Sequence, residues 1–149
     1  MRNLGLIGGG YWGKNLIRDF DKLNILHTVC DVDIKALQDV QQKYKEVCVT
    51  KKWSDILDNS DITCVCIALP AHMHYEFTKQ AIEAGKNVYV EKPFTLTVEH
   101  AEELKNLAQE KNKLLMVGHL LHYHPGIKAM KKMISSGAIG EIRQIVANR

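Results

Sequence analysis

The sequence predicts a doubly wound α/β fold built on a parallel sheet, and three observations lead there. Short apolar runs alternate with segments of helical period along most of the chain. One run, Ile62 to Leu69, is apolar over nearly its whole length, as a strand buried on both faces should be. The first run, Leu4 to Ile7, breaks into glycines spaced Gly8-x-Gly10-x-x-Gly13 and passes into a helical pattern.

Taken in order, the first strand covers Arg2 to Ile7, and the helix beyond the glycines carries Trp12, Leu16, Ile17 and Phe20 on one stripe. A second strand runs from Asn24 to Cys30. The next helix places Ile34, Leu37, Val40 and Tyr44 on one face, with Asp33 placed as its cap. A short strand over Val47 to Val49 and a helical turn over Trp53 to Leu57 lead to the Ile62–Leu69 run, which Pro70 stops. The pattern then predicts a helix from Ala71 to Ala84, packed through Met73, Phe77, Ala81 and Ala84 and closed by Gly85. A strand over Asn87 to Val90 ends in Glu91-Lys92-Pro93. Thr97 caps a helix with Val98, Ala101, Leu104 and Ala108 on one face, and a strand over Leu114 to Val117 ends at Gly118. Beyond it lie His119 to Pro125, a helix over Gly126 to Ser136 and a strand-like stretch from Gly140 to Arg149.

The glycine spacing suits a dinucleotide. Gly8 lets the chain turn off the strand, Gly10 lets a pyrophosphate approach the backbone, and Gly13 lets the helix pack closely on the strand. The helix then aims unpaired N–H groups and its positive dipole end at the anion. Asp31, at the end of the second strand, is placed to accept hydrogen bonds from the adenosine ribose and to repel a 2′-phosphate, which favours NAD over NADP. Asp33 competes for that role, and Lys35 weakens the NAD preference, since a cation there can pair with a phosphate. In a doubly wound sheet, ligands bind outside the carboxyl ends of the strands. The glycine loop, Asp31, Leu69-Pro70 and Glu91-Lys92-Pro93 all fall on that rim.

Composition narrows the alternatives. The chain has 149 residues, 46% hydrophobic and 25% charged, as ordinary globular domains do. A net charge of +3 with scattered basic residues reads as a solvated surface and not a nucleic-acid face. No run of about 18 apolar residues marks a membrane span, and a cytoplasmic location is expected. Cys30, Cys48, Cys64 and Cys66 lie in apolar stretches and read as buried free thiols, without the partners a zinc site needs. His119, His122 and His124 are close together, but no carboxylate cluster accompanies them, so no metal is expected.

Four motifs resemble the Gfo/Idh/MocA oxidoreductases. They are Gly8-x-Gly10-x-x-Gly13, Leu69-Pro70-x-x-x-His74, Glu91-Lys92-Pro93, and Val117-Gly118 leading through Tyr123-x-Pro125 to Ser136-Gly137-x-x-Gly140-Glu141-Ile142. The resemblance implies a first domain over residues 1–118 that binds NAD(P), and a second α/β domain of which residues 119–149 are the start. It implies hydride transfer between nicotinamide and a hydroxyl-bearing carbon of a sugar or nucleotide-sugar, in a homo-oligomer, with no nucleic-acid or membrane partner. Lys92 is the implied catalytic residue, beside the nicotinamide and the substrate hydroxyl, and its bond to Pro93 is often cis in the family. The implied cofactor-binding residues are Gly8, Gly10, Tyr11, Trp12 and Gly13 in the loop, then Asp31, Leu69 and Pro70, then His74, Glu91 and Lys92. His74 either packs beside the cofactor or caps locally, and Glu91 fixes Lys92 or the cofactor amide. Where this chain has His122 the family commonly has arginine, so a role there does not carry over. The stretch His119 to Pro125 further resembles a subgroup acting on UDP-N-acetylglucosamine or UDP-N-acetylglucosaminuronate, the 3-dehydrogenases. Since family members continue into a second domain, the chain reads as an N-terminal piece, with a catalytically inert nucleotide-binding module as the alternative.

Overall fold

The computed structural model describes residues 2–147. It divides into two compact units, residues 1–118 and residues 119–149. The first is a six-stranded parallel sheet flanked by helices. Its elements are β1 (Leu4–Ile7), α1 (Gly13–Lys22), β2 (Leu26–Cys30), α2 (Ile34–Lys43), β3 (Cys48–Thr50), α3 (Ser54–Leu57), β4 (Cys64–Ile67), α4 (His74–Glu83), β5 (Asn87–Val90), α5 (Val98–Glu110) and β6 (Leu115–Val117). The strand order is β3-β2-β1-β4-β5-β6, so the chain reverses direction across the sheet between β1 and β4. That is the doubly wound, dinucleotide-binding order with its crevice at the switch point.

Successive strand residues face opposite sides, and each side has its own core. Leu6, Val29 and Cys66 pack with Ile17 of α1 and Leu37 and Val40 of α2. Ile7, Val65, Ile67 and Val90 pack with Ile56, with Ala81 and Ile82 of α4, and with Leu104 and Ala108 of α5. Burying both faces explains the apolar run around β4.

Several elements differ from the sequence pattern. β2 starts at Leu26 and not Asn24, because Asn24 takes a left-handed turn (φ 58°) to leave α1. The segment before α4 opens as a 3₁₀ turn, Ala71–Met73, since Pro70 starts the turn in an extended conformation. The buried face of α4 is His74, Thr78, Ala81 and Ile82. Met73 and Phe77 are half-buried and Ala84 is exposed. The helix has turned a polar edge inward, and His74 explains why below. Trp12 sits at the N-cap of α1 and is exposed, so the stripe there reduces to Ile17 with Leu16 and Phe20. The expected burial of all four thiols fails at Cys48, which is exposed on the edge strand β3, and Cys64 is only half-buried.

The second unit holds a 3₁₀ turn, Leu120–Tyr123, and α6 (Pro125–Ser135). His124 caps α6, its Nδ1 accepting from the Gly126 N–H at 3.1 Å, and Pro125 supplies the first helical residue. Residues 141–147 form no strand, against the expectation for Gly140 to Arg149. A strand needs a neighbour to satisfy its edge, and none of the described residues pairs with it. Asn148 and Arg149 lie outside the described residues.

Candidate functional site at the carboxyl rim of the sheet

A row of backbone hydrogen bonds closes the sheet and sets the motifs side by side. The Asp31 N–H donates to the Thr50 carbonyl (3.2 Å), Gly8 to Cys30 (2.9 Å), Ala68 to Ile7 (2.9 Å), Glu91 to Ile67 (3.0 Å) and Gly118 to Val90 (2.8 Å). The residue leaving each strand is thus tied to the last residue of its neighbour. Asp31, the glycine loop, Ala68-Leu69 and Glu91-Lys92 follow one another across the rim, though they lie far apart in sequence. From β2 to β5 is three strand spacings, about 14 Å.

The glycines differ in what surrounds them. A Cβ on Gly8 (φ +100°) would lie 2.4 Å from the Ala68 carbonyl oxygen, and one on Gly13 only 1.8 Å from the Gly8 carbonyl oxygen. Both positions require glycine so that the loop can fold against β4 and α1 can start where it does. At Gly10 a Cβ would meet nothing within 4 Å. The fold does not need glycine there, and the space beside its backbone is open. No side chain caps α1 and no acid lies in its first turn, whereas Asp33 caps α2 and Thr97 caps α5. The open space at Gly10, next to an uncapped helix start, fits an anionic group such as a pyrophosphate. Tyr11 and Trp12 stand in the same loop, with Tyr11 94% exposed.

Asp31 is fixed by backbone donors. The Gly9 N–H reaches its Oδ2 at 2.6 Å and the Asp33 N–H its Oδ1 at 2.8 Å. Asp33 itself accepts from the Lys35 N–H at 2.9 Å and caps α2, which leaves Asp31 as the rim carboxylate. Each Asp31 oxygen keeps further lone-pair capacity for a hydroxyl donor. Beside it, burial first and then the Asp31 and Asp55 carboxylates push the Cys30 thiol up to about 11. Burial likewise raises the Cys66 thiol, so neither is a nucleophile at neutral pH.

At the other side of the rim, Glu91 is buried and its Oε1 accepts from the Tyr89 hydroxyl at 3.0 Å. A Cβ on Gly118 would lie 2.7 Å from that hydroxyl oxygen and 3.0 Å from Glu91 Oε1, so a larger residue at the end of β6 would push the Tyr89–Glu91 pair aside. Lys92 is exposed and, among the described residues, has no hydrogen-bond or ion-pair partner. The Lys92–Pro93 bond is cis. Leu69 is half-buried and Pro70 exposed at the exit of β4. His74 is 1% exposed, with Nδ1 2.6 Å from the Pro93 carbonyl oxygen and Nε2 2.8 Å from the Leu69 carbonyl oxygen.

Gly9, Thr50 and Tyr89 also hold the rim together, though none is a named position of the motifs. Tyr89 had a signal: two residues before Glu91 on a strand, it shares that residue's face. Gly9 and Thr50 act through backbone groups, which any residue carries, and left none. Among the described residues no group of three or more His, Cys, Asp or Glu is placed to hold a metal ion. No helix among them is long and apolar enough to cross a membrane.

A parallel sheet in this order, with a glycine loop at its switch point and a carboxylate on the neighbouring strand, defines a dinucleotide-binding Rossmann domain. Residues 2–119 match the family model of the oxidoreductases with an NAD-binding Rossmann fold, Gfo/Idh/MocA, and the chain belongs to that family. It is 35% identical over 150 aligned residues to scyllo-inositol 2-dehydrogenase (NADP(+)) of Bacillus subtilis, covering 98% of this chain and 41% of that protein. GenD2 from gentamicin A biosynthesis, solved with NAD, superposes with a TM-score of 0.86 at 27% identity, over 92% of this chain and 40% of its own. A 3-ketoreductase from Actinomadura kijaniata, solved with NADP and TDP-benzene, has a TM-score of 0.86 at 26% identity, over 95% and 44%. The chain spans about two fifths of the length of the curated relatives it matches.

Proposed function

We propose that this chain is the cofactor-binding part of an NAD(P)-dependent dehydrogenase acting on a hydroxyl-bearing carbon of a sugar, cyclitol or nucleotide-sugar. The observation that carries the reading is the rim itself. A fixed carboxylate, an open helix start and an unpartnered lysine follow one another along the rim from the exit of β2 to that of β5, three strand spacings or about 14 Å. Relatives with names of this kind support the substrate class. A UDP-N-acetylhexosamine or hexosaminuronate oxidised at C3 is the narrower reading, resting on the His119–Pro125 resemblance. A homo-oligomer is the state proposed for the whole protein.

Asp31 accepts from the ribose hydroxyls, and the α1 N-terminus with the space at Gly10 takes the pyrophosphate. Leu69 and Pro70 stand at the middle of the rim, and Tyr11 and Trp12 in the glycine loop are exposed to a ligand there. The bound nicotinamide supplies the hydride acceptor or donor. As a hydride leaves the carbinol carbon, the hydroxyl proton must leave its oxygen. Lys92 is the group this chain offers at that oxygen: its neutral amine takes the proton, and the ammonium so formed stabilises the alkoxide charge that develops.

Asp31 predicts NAD over NADP, although relatives of both kinds exist. Titration with NADH and NADPH, followed by Trp12 fluorescence, measures the preference. Asp31→Ser is expected to weaken NADH about tenfold and to narrow or invert the gap to NADPH. A chain that binds neither nucleotide at millimolar concentration contradicts the proposal. Binding without turnover across a panel of sugars, inositols and UDP-sugars favours the binding-module reading for these 149 residues.

A further inference from the structure

We infer that His74 is the positioning residue for Lys92, a buried clamp that ties the lysine's turn to the exit of β4. This goes beyond a histidine packed beside the cofactor, and it rests on the reading of Lys92 as the residue next to the nicotinamide. His74 begins α4 with its ring 1% exposed. Nothing bound at the surface of the rim reaches a ring so enclosed. Its two nitrogens face inward acceptors instead: the carbonyl of Pro93, immediately after Lys92, at 2.6 Å, and the carbonyl of Leu69 at 2.8 Å. One side chain therefore joins two loops that leave neighbouring strands of the rim. Carbonyl oxygens only accept, so the link to the Lys92 turn requires a proton on Nδ1, the link to Leu69 one on Nε2, and both links together the imidazolium.

The clamp is itself held. One residue on, Tyr75 stacks on His100 of α5 with ring centroids 3.9 Å apart, and its hydroxyl donates to Glu103 at 2.8 Å. Lys79 also donates to Glu103, at 2.8 Å. Helix α5 follows the Lys92 turn directly in the chain, so α4 is fastened both to the turn and to the helix beyond it. Lys92 meanwhile has no partner of its own among the described residues. The position of its ammonium then depends on its backbone, and His74 is the side chain that holds that backbone.

The two contacts can be separated by substitution. An asparagine puts its amide nitrogen near the place of Nδ1, and a glutamine near that of Nε2. His74→Asn thus keeps the donor to Pro93, and His74→Gln keeps only the donor to Leu69. The readout is the rate of reductive methylation of Lys92 with and without NADH, followed by peptide mass spectrometry against the exposed Lys22. Ile82→Val, in the same helix, serves as a control for lost stability. NADH is expected to slow Lys92 methylation in the unaltered chain and in His74→Asn. His74→Gln is expected to lose about fivefold of that protection, the effect of one hydrogen bond. Equal protection in both variants overturns the inference alone, and so does a loss that follows the unfolding temperature in every variant, Ile82→Val included. NADH that binds without protecting Lys92 in the unaltered chain overturns the site reading and the inference with it. A second measurement needs no variant: nitrogen NMR of the imidazoles should find Nδ1 of His74 protonated, and a bare Nδ1 contradicts the clamp.

Discussion

The two ends of this sheet use the same kinds of residue in opposite ways. At the amino end, cations are spent on internal acceptors. Arg2 donates to Asp21 at 3.0 Å, to the Leu26 carbonyl at 2.9 Å and to Glu46 at 3.0 Å. Lys86 is buried and donates to the carbonyls of Asn59 and Ile62, each at 2.7 Å. At the carboxyl end, Lys92 is exposed with no partner among the described residues, α1 is uncapped, and the space at Gly10 is open. Buried polar groups ordinarily find partners. The base obeys that rule within the chain, whereas at the rim Lys92 and the start of α1 keep donors unused for something that binds. A lysine alone therefore says little about function; whether its donors are already used says more.

That contrast gives predictions of decreasing size. Gly13→Ala is expected to damage fold and site together, because its Cβ would fall 1.8 Å from the Gly8 carbonyl oxygen. A cost of about 3 kcal/mol, or roughly 10 °C in the unfolding midpoint, should accompany loss of NADH binding. Normal NADH affinity in that variant would break the link between loop geometry and binding. Lys86→Met should act on the base alone. It leaves two carbonyls without their donor and costs about 2 kcal/mol in a denaturant titration, while NADH affinity stays within about twofold. Weaker NADH binding there would mean that the ends are coupled. The smallest effect belongs to the α4–α5 link. Lys79 first, and Tyr75 second, hold the Glu103 carboxyl below its ordinary value of 4.5. Its contribution is complete above that value and fades as pH falls through the lower folded-state value. Glu103→Gln should remove this part of the acid sensitivity in unfolding curves from about pH 6 to about pH 3, and a variant with unchanged acid sensitivity would assign it elsewhere.

The rim was legible in sequence because its motifs carry chemistry in side chains or in missing ones. Gly8, Gly13, Asp31 and Lys92 could each be marked from residue type and place relative to a strand. The order of the strands gives these positions their meaning, and it depends on pairing between distant segments that no local pattern records. His74 shows a second limit. Its periodicity suggested an apolar stripe one residue away, through Met73 and Ala84, whereas the helix turns His74 and Thr78 inward. The reason is a pair of carbonyls from two other loops, which exist only once the sheet has formed. The tail fails for the reverse cause: residues from Gly140 onward have strand-like composition, but among the described residues they have no strand to pair with.

The central claim is that the rim is built for a dinucleotide and not merely folded into that shape. Gly10→Ala tests it most directly, since a Cβ there meets no protein atom within 4 Å. The account predicts an unfolding free energy within about 1 kcal/mol of the unaltered chain and an NADH affinity at least about tenfold weaker by calorimetric titration. An alanine variant that keeps both its stability and its full NADH affinity would contradict it.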